Sequence, residues 1–219
     1  MEIKGKSIYF LGDSITEGYG PKKREDSFVE IIKRKNLFKI VKNYGVGGTR
    51  LARQNEVSDY AVWDYDFLLR TELMDEKADI ICVFGGTNDY GHGTAPFGKE
   101  GDKDPYTFCG AVNLLIQTLK KKYPHSKIFF ITPSYRYDAD NVKAVTHLKP
   151  YKPLKDYVDV IKKLCAENSI PYLDLYDDSL LSEKNKATAS QYLADGLHPN
   201  EKGSAYLADL ILDFIKKSL

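Results

Sequence analysis

SIYFLGDS, residues 7–14, joins a short apolar run to a glycine and two polar side chains. An unbroken apolar run of this kind is typical of a strand that is covered on both faces in a parallel sheet. Sheets of parallel strands bind ligands beyond the carboxyl ends of their strands, where the following helices begin. Ser14 is therefore predicted to lie at that edge, where its hydroxyl can meet a reacting group.

Similar apolar runs recur along the chain and alternate with segments whose apolar residues follow helical spacing. The strand candidates are Ser7–Leu11, Lys39–Asn43, Asp79–Phe84, Lys127–Thr132 and Pro171–Leu175. The longer helix candidates are Tyr106–Tyr123, Leu154–Asn168 and Glu201–Lys217. Right-handed crossovers between such strands place helices on both faces of one sheet. The sequence therefore predicts an α/β fold, a flavodoxin-like three-layer α/β/α sandwich with a five-stranded parallel sheet, and its length favours one domain over residues 1–219.

The composition argues against several classes of partner. The 32 basic and 31 acidic residues are spread along the chain and give a net charge of +1, so no nucleic acid partner is expected. The apolar runs are shorter than the roughly 20 residues of a membrane span, and the first is shorter than the roughly 7–15 apolar residues of a signal peptide. Three cysteines without CxxC spacing fit a reducing compartment. We therefore expect a cytoplasmic protein without a membrane span; a leader trimmed from this sequence and a homo-oligomeric assembly both stay open.

Polar or glycine-rich motifs follow the first three predicted strands. Gly12-Asp13-Ser14 follows the first strand, the glycine-rich stretch 45–49 follows the second, and Gly86-Thr87-Asn88-Asp89 follows the third. Glycines let backbone N–H groups approach a ligand, and Asn88 offers a side-chain amide donor. Each motif alone is also ordinary turn composition. Their common position at one edge of the sheet is what favours a functional site.

A fourth motif, Asp195-Gly196-Leu197-His198, precedes the last predicted helix. A short turn over this spacing can hold the Asp195 carboxylate against one ring nitrogen of His198 while the other nitrogen faces outward. For an isolated histidine, an exposed surface position is the ordinary interpretation. The order Ser, Gly, Asn and then an Asp–His pair, with three motifs directly after strands, favours a catalytic set instead.

Together, the four motifs resemble the sequence blocks of the SGNH hydrolases, also called the GDSL esterase/lipase family, and the resemblance extends from Gly12 to Asn200. It implies a serine ester hydrolase with Ser14 as the nucleophile and His198 as general base and then general acid. Asp195 would orient His198. The resemblance implies no cofactor.

The same resemblance implies an oxyanion hole for the negative oxygen of the tetrahedral intermediate. Its donors would be the backbone N–H groups of Ser14 and Gly48 and the side-chain amide of Asn88. Gly48 fits the position of the family's glycine better than Gly47 does.

Other polar residues near this edge are candidates for contact with the substrate. The candidates are Asp13, His92, Tyr135 and Arg136. An exposed loop position is the alternative for His92. Asp13 and Asp89 are also conceivable metal ligands, but no second histidine or dense carboxylate motif supports them, so we expect no metal and assign both to turn and capping hydrogen bonds.

Two aromatic segments complete the set of loop features. The segment Ser134–Tyr137, with His147 and Tyr151, is predicted to form a lid over the site. Tyr60, Trp63 and Tyr65 are interpreted as core packing in preference to a surface that stacks on sugar rings.

The polar character of these loops favours a small-molecule ester substrate with a short acyl chain, acetyl groups on carbohydrate among them. Lysophospholipases and thioesterases belong to the same family, so both activities remain alternatives. Two further alternatives come from other classes: an SGNH-like carbohydrate-binding module without turnover, and a metal-dependent phosphoesterase.

Overall fold

Five parallel strands form the sheet at the centre of the structure, a computed structural model that describes residues 3–137, 139–140 and 152–219. The strands are β1 Ser7–Gly12, β2 Ile40–Gly45, β3 Ile80–Phe84, β4 Lys127–Ile131 and β5 Tyr172–Leu173. Their order in the sheet is β2-β1-β3-β4-β5, which is the flavodoxin-like order. The predicted α/β fold with a five-stranded parallel sheet is confirmed.

The helices of the described residues lie on both faces of this sheet. In chain order they are α1 Ser14–Glu17, α2 Phe28–Arg34, α3 Phe67–Leu73, α4 Thr87–His92, α5 Phe108–Lys122, α6 Leu154–Glu167, α7 Lys186–Tyr192 and α8 Glu201–Ser218. Short 3-10 helices cover Arg24–Asp26 and Ala61–Asp64. No helix in the described parts of the chain is both long enough and apolar enough to cross a membrane.

Alternation along β1 shows how the three layers form. Successive side chains of a strand point to opposite faces of the sheet. Tyr9 and Leu11 pack into a buried cluster with α5 and α6, whereas Ile8 and Phe10 pack into a second cluster with α2 and α8. The unbroken apolar run is therefore explained by burial on both faces.

The predicted strands differ from the observed strands by one or two residues at their ends. β5 has only the two residues Tyr172 and Leu173, because only Phe130 and Ile131 of β4 pair with it. The segment 85–105 that follows β3 contains α4, which begins directly after the left-handed Gly86. Most of the segment 133–153 that follows β4 lies outside the described residues.

Candidate active site

Ser14, His198 and Asp195 form a hydrogen-bonded row beyond the carboxyl end of β1. Ser14 Oγ lies 2.8 Å from Nε2 of His198, and Nδ1 of the same ring lies 2.7 Å from Oδ2 of Asp195. The chain separates the serine from the histidine by 184 positions. The fold therefore brings the predicted nucleophile and the predicted base within hydrogen-bond distance.

The turn from β1 into α1 positions the serine. Ser14 is the first residue of α1, and the Asp13 carboxylate caps the helix by accepting from the Ile15 N–H at 3.1 Å. Gly12 must be a glycine, because a Cβ there would lie 2.0 Å from Oγ1 of Thr16. Strand, glycine and cap together point the Ser14 hydroxyl out of the edge of the sheet.

The loop before α8 holds the histidine. Oδ1 of Asp195 accepts from the backbone N–H groups of Leu197 and His198 at 3.0 and 2.8 Å, which leaves Oδ2 for the ring. Burial opposes ionisation of Asp195, but these donors and the charge of His198 outweigh it and lower the pKa of the carboxyl. Asn200 then begins α8 by capping the N–H groups of Lys202 and Gly203.

Donors suited to an oxyanion converge beside Ser14. The Gly47 N–H donates to Oε2 of Glu17 at 2.6 Å, whereas the N–H groups of Ser14 and Gly48 have no acceptor among the described residues. One amide hydrogen of Asn88 binds the Thr49 carbonyl at 3.0 Å, which orients the side chain and leaves a second hydrogen. The choice of Gly48 over Gly47 thus has a physical basis.

Gly48 meets two constraints that exclude a side chain. Its φ is +74°, in the left-handed region that favours glycine. A Cβ at this position would also lie 1.9 Å from Nε1 of Trp63. The indole of Trp63 therefore lies directly against the backbone of Gly48.

Two buried carboxyls brace the loops behind the site. Asp89 accepts from the backbone N–H groups of Leu51 and Ala52 at 2.9 and 2.8 Å, which ties α4 to the segment that follows the glycine-rich stretch 45–49. Burial raises the pKa of Asp13 and of Asp89 to about 6, against the opposing effect of their N–H donors. The capping role expected for Asp13 matches its contact with Ile15, whereas Asp89 makes contacts with a distant segment and neither caps its own helix nor closes a turn.

Arg70 is a buried residue of the site that the sequence analysis missed. Its guanidinium donates to the carbonyls of Gly12 and Tyr44 at 2.8 and 2.7 Å and to Oγ1 of Thr49 at 2.8 Å. These acceptors lie at the ends of β1 and β2 and in the loop beyond β2. Burial lowers the pKa of Arg70 to about 10, and the side chain ties the two strand ends together.

An open cleft of about 520 Å³ lies over Ser14, Gly48, Asn88 and His198. Its other lining side chains are mainly aromatic or apolar, namely Tyr19, Val46, Tyr60, Val62, Trp63, His92 and Leu197. Glu17 adds a carboxylate. The cleft can therefore accept an ester with its carbonyl carbon at Ser14.

Of the four residues predicted to contact substrate, only His92 lines this cleft. Asp13 is buried beneath it as the cap of α1. The hydroxyl of Tyr135 donates to Asp140, and the guanidinium of Arg136 lies 5.7 Å from the ring of Tyr90 on α4. His147 and Tyr151 of the predicted lid lie outside the described residues.

The interpretation of Tyr60, Trp63 and Tyr65 as core is wrong. Tyr60 is 61% exposed and Tyr65 is 48% exposed. The segment 53–65 has no regular strand or long helix, so neither of the two periodicities that identify a buried face applies to it. Tyr60 and Trp63 line the cleft instead.

His92 yields a pH-dependent prediction about stability. Burial lowers the pKa of His92 to about 4, and the charges of Arg50 and Arg136 add to the effect. Between pH 6.5 and about pH 4, His92 is therefore protonated in the unfolded chain but not in the folded chain. The free energy of unfolding consequently falls as the pH falls through this range. Glutamine keeps a hydrogen-bond acceptor and a donor but does not titrate. His92→Gln should therefore lose about 2 kcal/mol less free energy of unfolding than wild type over this pH range.

Urea denaturation at pH 7 and pH 4.5 measures this difference. Wild type should lose more free energy of unfolding between the two pH values than His92→Gln does. His125→Gln, the same replacement at an exposed position, is the matched control. Equal losses in wild type and His92→Gln would contradict the prediction.

Comparison with known proteins finds relatives along nearly the whole chain. A model of the GDSL-like lipase/acylhydrolase family matches residues 10–206. No curated protein matches the chain. Among solved structures, a protein from Lactobacillus plantarum is 28% identical and has a TM-score of 0.82 over 99% of each chain.

Two more distant structures carry descriptive names. The lipase/acylhydrolase from Enterococcus faecalis is 24% identical, with a TM-score of 0.66 over 98% of this chain and 97% of that one. A structure named acetyl xylan esterase is 21% identical, with a TM-score of 0.64 over 94% of this chain and 98% of that one. At these identities the likeness shows the fold alone.

Proposed function

The chain belongs to the GDSL-like lipase/acylhydrolase family and is a hydrolase acting on ester bonds, and from this premise we propose that it cleaves short-chain carboxylic esters with Ser14 as nucleophile. The observation that carries the proposal is the row of hydrogen bonds from Ser14 Oγ through His198 to Asp195. A serine hydroxyl is a weak nucleophile at neutral pH and needs an adjacent base of this kind.

The tautomer of His198 follows from its two partners. The ionised Asp195 carboxylate only accepts hydrogen bonds, so Nδ1 carries the proton and Nε2 accepts from the Ser14 hydroxyl. As Ser14 Oγ bonds to the ester carbon, its proton moves to Nε2. His198 then gives that proton to the departing alcohol as the ester C–O bond breaks, and a water molecule later releases the acyl group by the same route in reverse.

The oxyanion formed in both steps needs donors that are already in place. The N–H groups of Ser14 and Gly48 and the second amide hydrogen of Asn88 supply them. Because these donors are fixed by α1, by the glycine-rich loop and by α4, they need little reorganisation when the charge develops.

Asn88→Ala tests this role. Loss of one such donor costs roughly 10²–10³-fold in kcat, so a decrease of that size is expected for nitrophenyl acetate. Thermal denaturation should show that the variant remains folded. Asn113→Ala, which removes an amide that donates to the Asp102 carbonyl away from the cleft, should keep wild-type turnover. Full activity in Asn88→Ala would refute the oxyanion role.

The residues that line the cleft support acetylated carbohydrate as the substrate. Glu17 and Tyr19 line it close to Ser14 in sequence, and the ring of Tyr19 lies 6.0 Å from that of His198. A carboxylate accepts hydrogen bonds from sugar hydroxyls, and an aromatic face covers apolar sugar faces. The fold likeness to a structure named acetyl xylan esterase is compatible with this choice. Lysophospholipase and thioesterase activities remain the alternatives within the family.

The deciding experiment compares wild type and Ser14→Ala on nitrophenyl esters of increasing acyl length and on acetylated sugars. The proposal expects the highest kcat/KM with acetyl esters, together with covalent labelling of Ser14 by a fluorophosphonate. A carbohydrate-binding module would bind sugar but show neither result. A metal-dependent phosphoesterase would cleave phosphate esters, lose activity on chelation and ignore serine reagents.

A further inference from the structure

A group of tilted aromatic rings borders the predicted oxyanion hole. The ring centroids of Trp63 and His92 are 4.4 Å apart, and Tyr60 packs at 4.7 Å on Trp63. Trp63 lies against the backbone of Gly48, and His92 ends the same short helix that carries Asn88. Trp63 and His92 are here called the aromatic wall. They adjoin the two elements that carry the other predicted oxyanion donors, the backbone N–H of Gly48 and the side-chain amide of Asn88.

Arg50 lies buried behind this wall, with 2% of its surface exposed. Its guanidinium donates to Nδ1 and to the carbonyl oxygen of His92 at 3.3 and 3.2 Å. The same group donates to the carbonyl of Trp63 at 3.2 Å and to Oδ1 of Asp64 at 3.0 Å, and it also binds Ser58. One cation therefore links the end of α4 to the segment that carries Trp63.

The contact with Arg50 also sets the tautomer of His92. A guanidinium has donors and no acceptor, so Nδ1 of His92 must accept and the ring proton of neutral His92 must be on Nε2. Burial and the charge of Arg50 lower the pKa of His92, which keeps the ring neutral. The wall thus presents an uncharged face to the cleft.

The chemistry of ester cleavage decides which part of the substrate meets the wall. The departing alcohol must face His198, which protonates it, and the carbonyl oxygen must face Gly48 and Asn88. The acyl chain leaves the same carbon in the remaining direction, away from the alcohol. Because the wall is packed on Gly48 and on the helix of Asn88, it lies on the side of the cleft where the carbonyl oxygen is held, next to the carbon that carries the acyl chain.

We propose that Trp63 and His92 form the specificity-determining wall on the acyl side of the cleft and limit it to short acyl chains, and that Arg50 is the positioning residue that fixes this wall. The inference rests on the proposed esterase function and deepens it. It assigns the limit on chain length to two ring systems and one buried cation, none of which belongs to the nucleophile, the base or the oxyanion donors.

The test measures kcat/KM for p-nitrophenyl acetate and butyrate in wild type, Trp63→Ala and Arg50→Lys. Each buried methylene is worth about fourfold in binding, so space for two more should raise the butyrate-to-acetate ratio of Trp63→Ala by about fifteenfold. Arg50→Lys keeps the positive charge but loses the planar guanidinium with its fixed N–H donors. The butyrate-to-acetate ratio of this variant should therefore also rise. Tyr65→Ala, an exposed aromatic of the same segment outside the cleft lining, should leave the ratio unchanged.

The outcomes separate the wall from the esterase proposal. Cleavage of nitrophenyl acetate by wild type and labelling of Ser14 would support the esterase proposal. If wild type and Trp63→Ala then have the same butyrate-to-acetate ratio, the proposal of the aromatic wall is refuted and the esterase proposal is not affected. If Arg50 were merely structural, Arg50→Lys would lower both rates alike and leave their ratio fixed. Absence of any ester cleavage and of any Ser14 labelling would overturn both proposals.

Discussion

Ser14→Ala is expected to reduce kcat for ester hydrolysis by about 10⁵–10⁶-fold, close to the loss seen when a serine hydrolase loses its whole triad. Without Oγ no acyl-enzyme can form, and only binding and the oxyanion donors remain. The fold should persist, because the change removes one hydrogen bond, worth about 1 kcal/mol. Steady-state assays with nitrophenyl acetate and thermal denaturation measure the two effects.

The double variant Ser14→Ala/His198→Ala sharpens this test. Since the two side chains act as one unit, the second replacement should cost almost nothing further. Ser190→Ala, an exposed serine of α7, controls for loss of a hydroxyl and should be fully active. A Ser14→Ala enzyme with more than about a hundredth of wild-type kcat would exclude Ser14 as the nucleophile.

Asp195→Asn should lower kcat by about 10³–10⁴-fold with little change in structure. The amide that replaces Oδ2 can donate to Nδ1, which moves the ring proton of His198 onto Nε2. The ring nitrogen that faces Ser14 then can no longer accept the serine proton. The rate of Ser14 labelling by a fluorophosphonate should fall in parallel, because that reaction needs the same proton transfer.

Asp177→Asn is the matched control for this change. Asp177 lies exposed on the surface and pairs with Lys184, so its loss of charge should leave kcat unchanged. If Asp195→Asn keeps more than a tenth of wild-type kcat, His198 would not need the charge of residue 195 to accept the serine proton. The role proposed for Asp195 would then be wrong.

The fold and the position of the site follow from local patterns. The run Ile8–Leu11 is apolar on both faces, and this requires cover on both sides of the sheet whatever the partners are. Parallel strands present their carboxyl ends at one edge, so the motifs containing Ser14, Gly48 and Asn88 had to meet there. These properties depend on periodicity and strand direction, which can be read along the chain.

Asp195 and His198 could be paired from their spacing, but their approach to Ser14 could be inferred only through the family resemblance. The physical cause is the packing of α8 beside α2 on one face of the sheet, which carries the loop before α8 to the end of β1. Spacing over three residues describes a turn. It contains no information about a group 184 positions away.

Local sequence patterns were sufficient to predict the sheet, its layers and the edge at which the polar motifs collect, because strand and turn preferences act over a few neighbouring residues. Three features became visible only in the folded structure: Trp63 borders the cleft, Arg50 and Arg70 serve as buried braces, and Arg136 packs on Tyr90 outside the cleft lining. Those positions are set by hydrogen bonds and ring contacts between segments distant in sequence. Such partners become neighbours only when the sheet and its helices have formed.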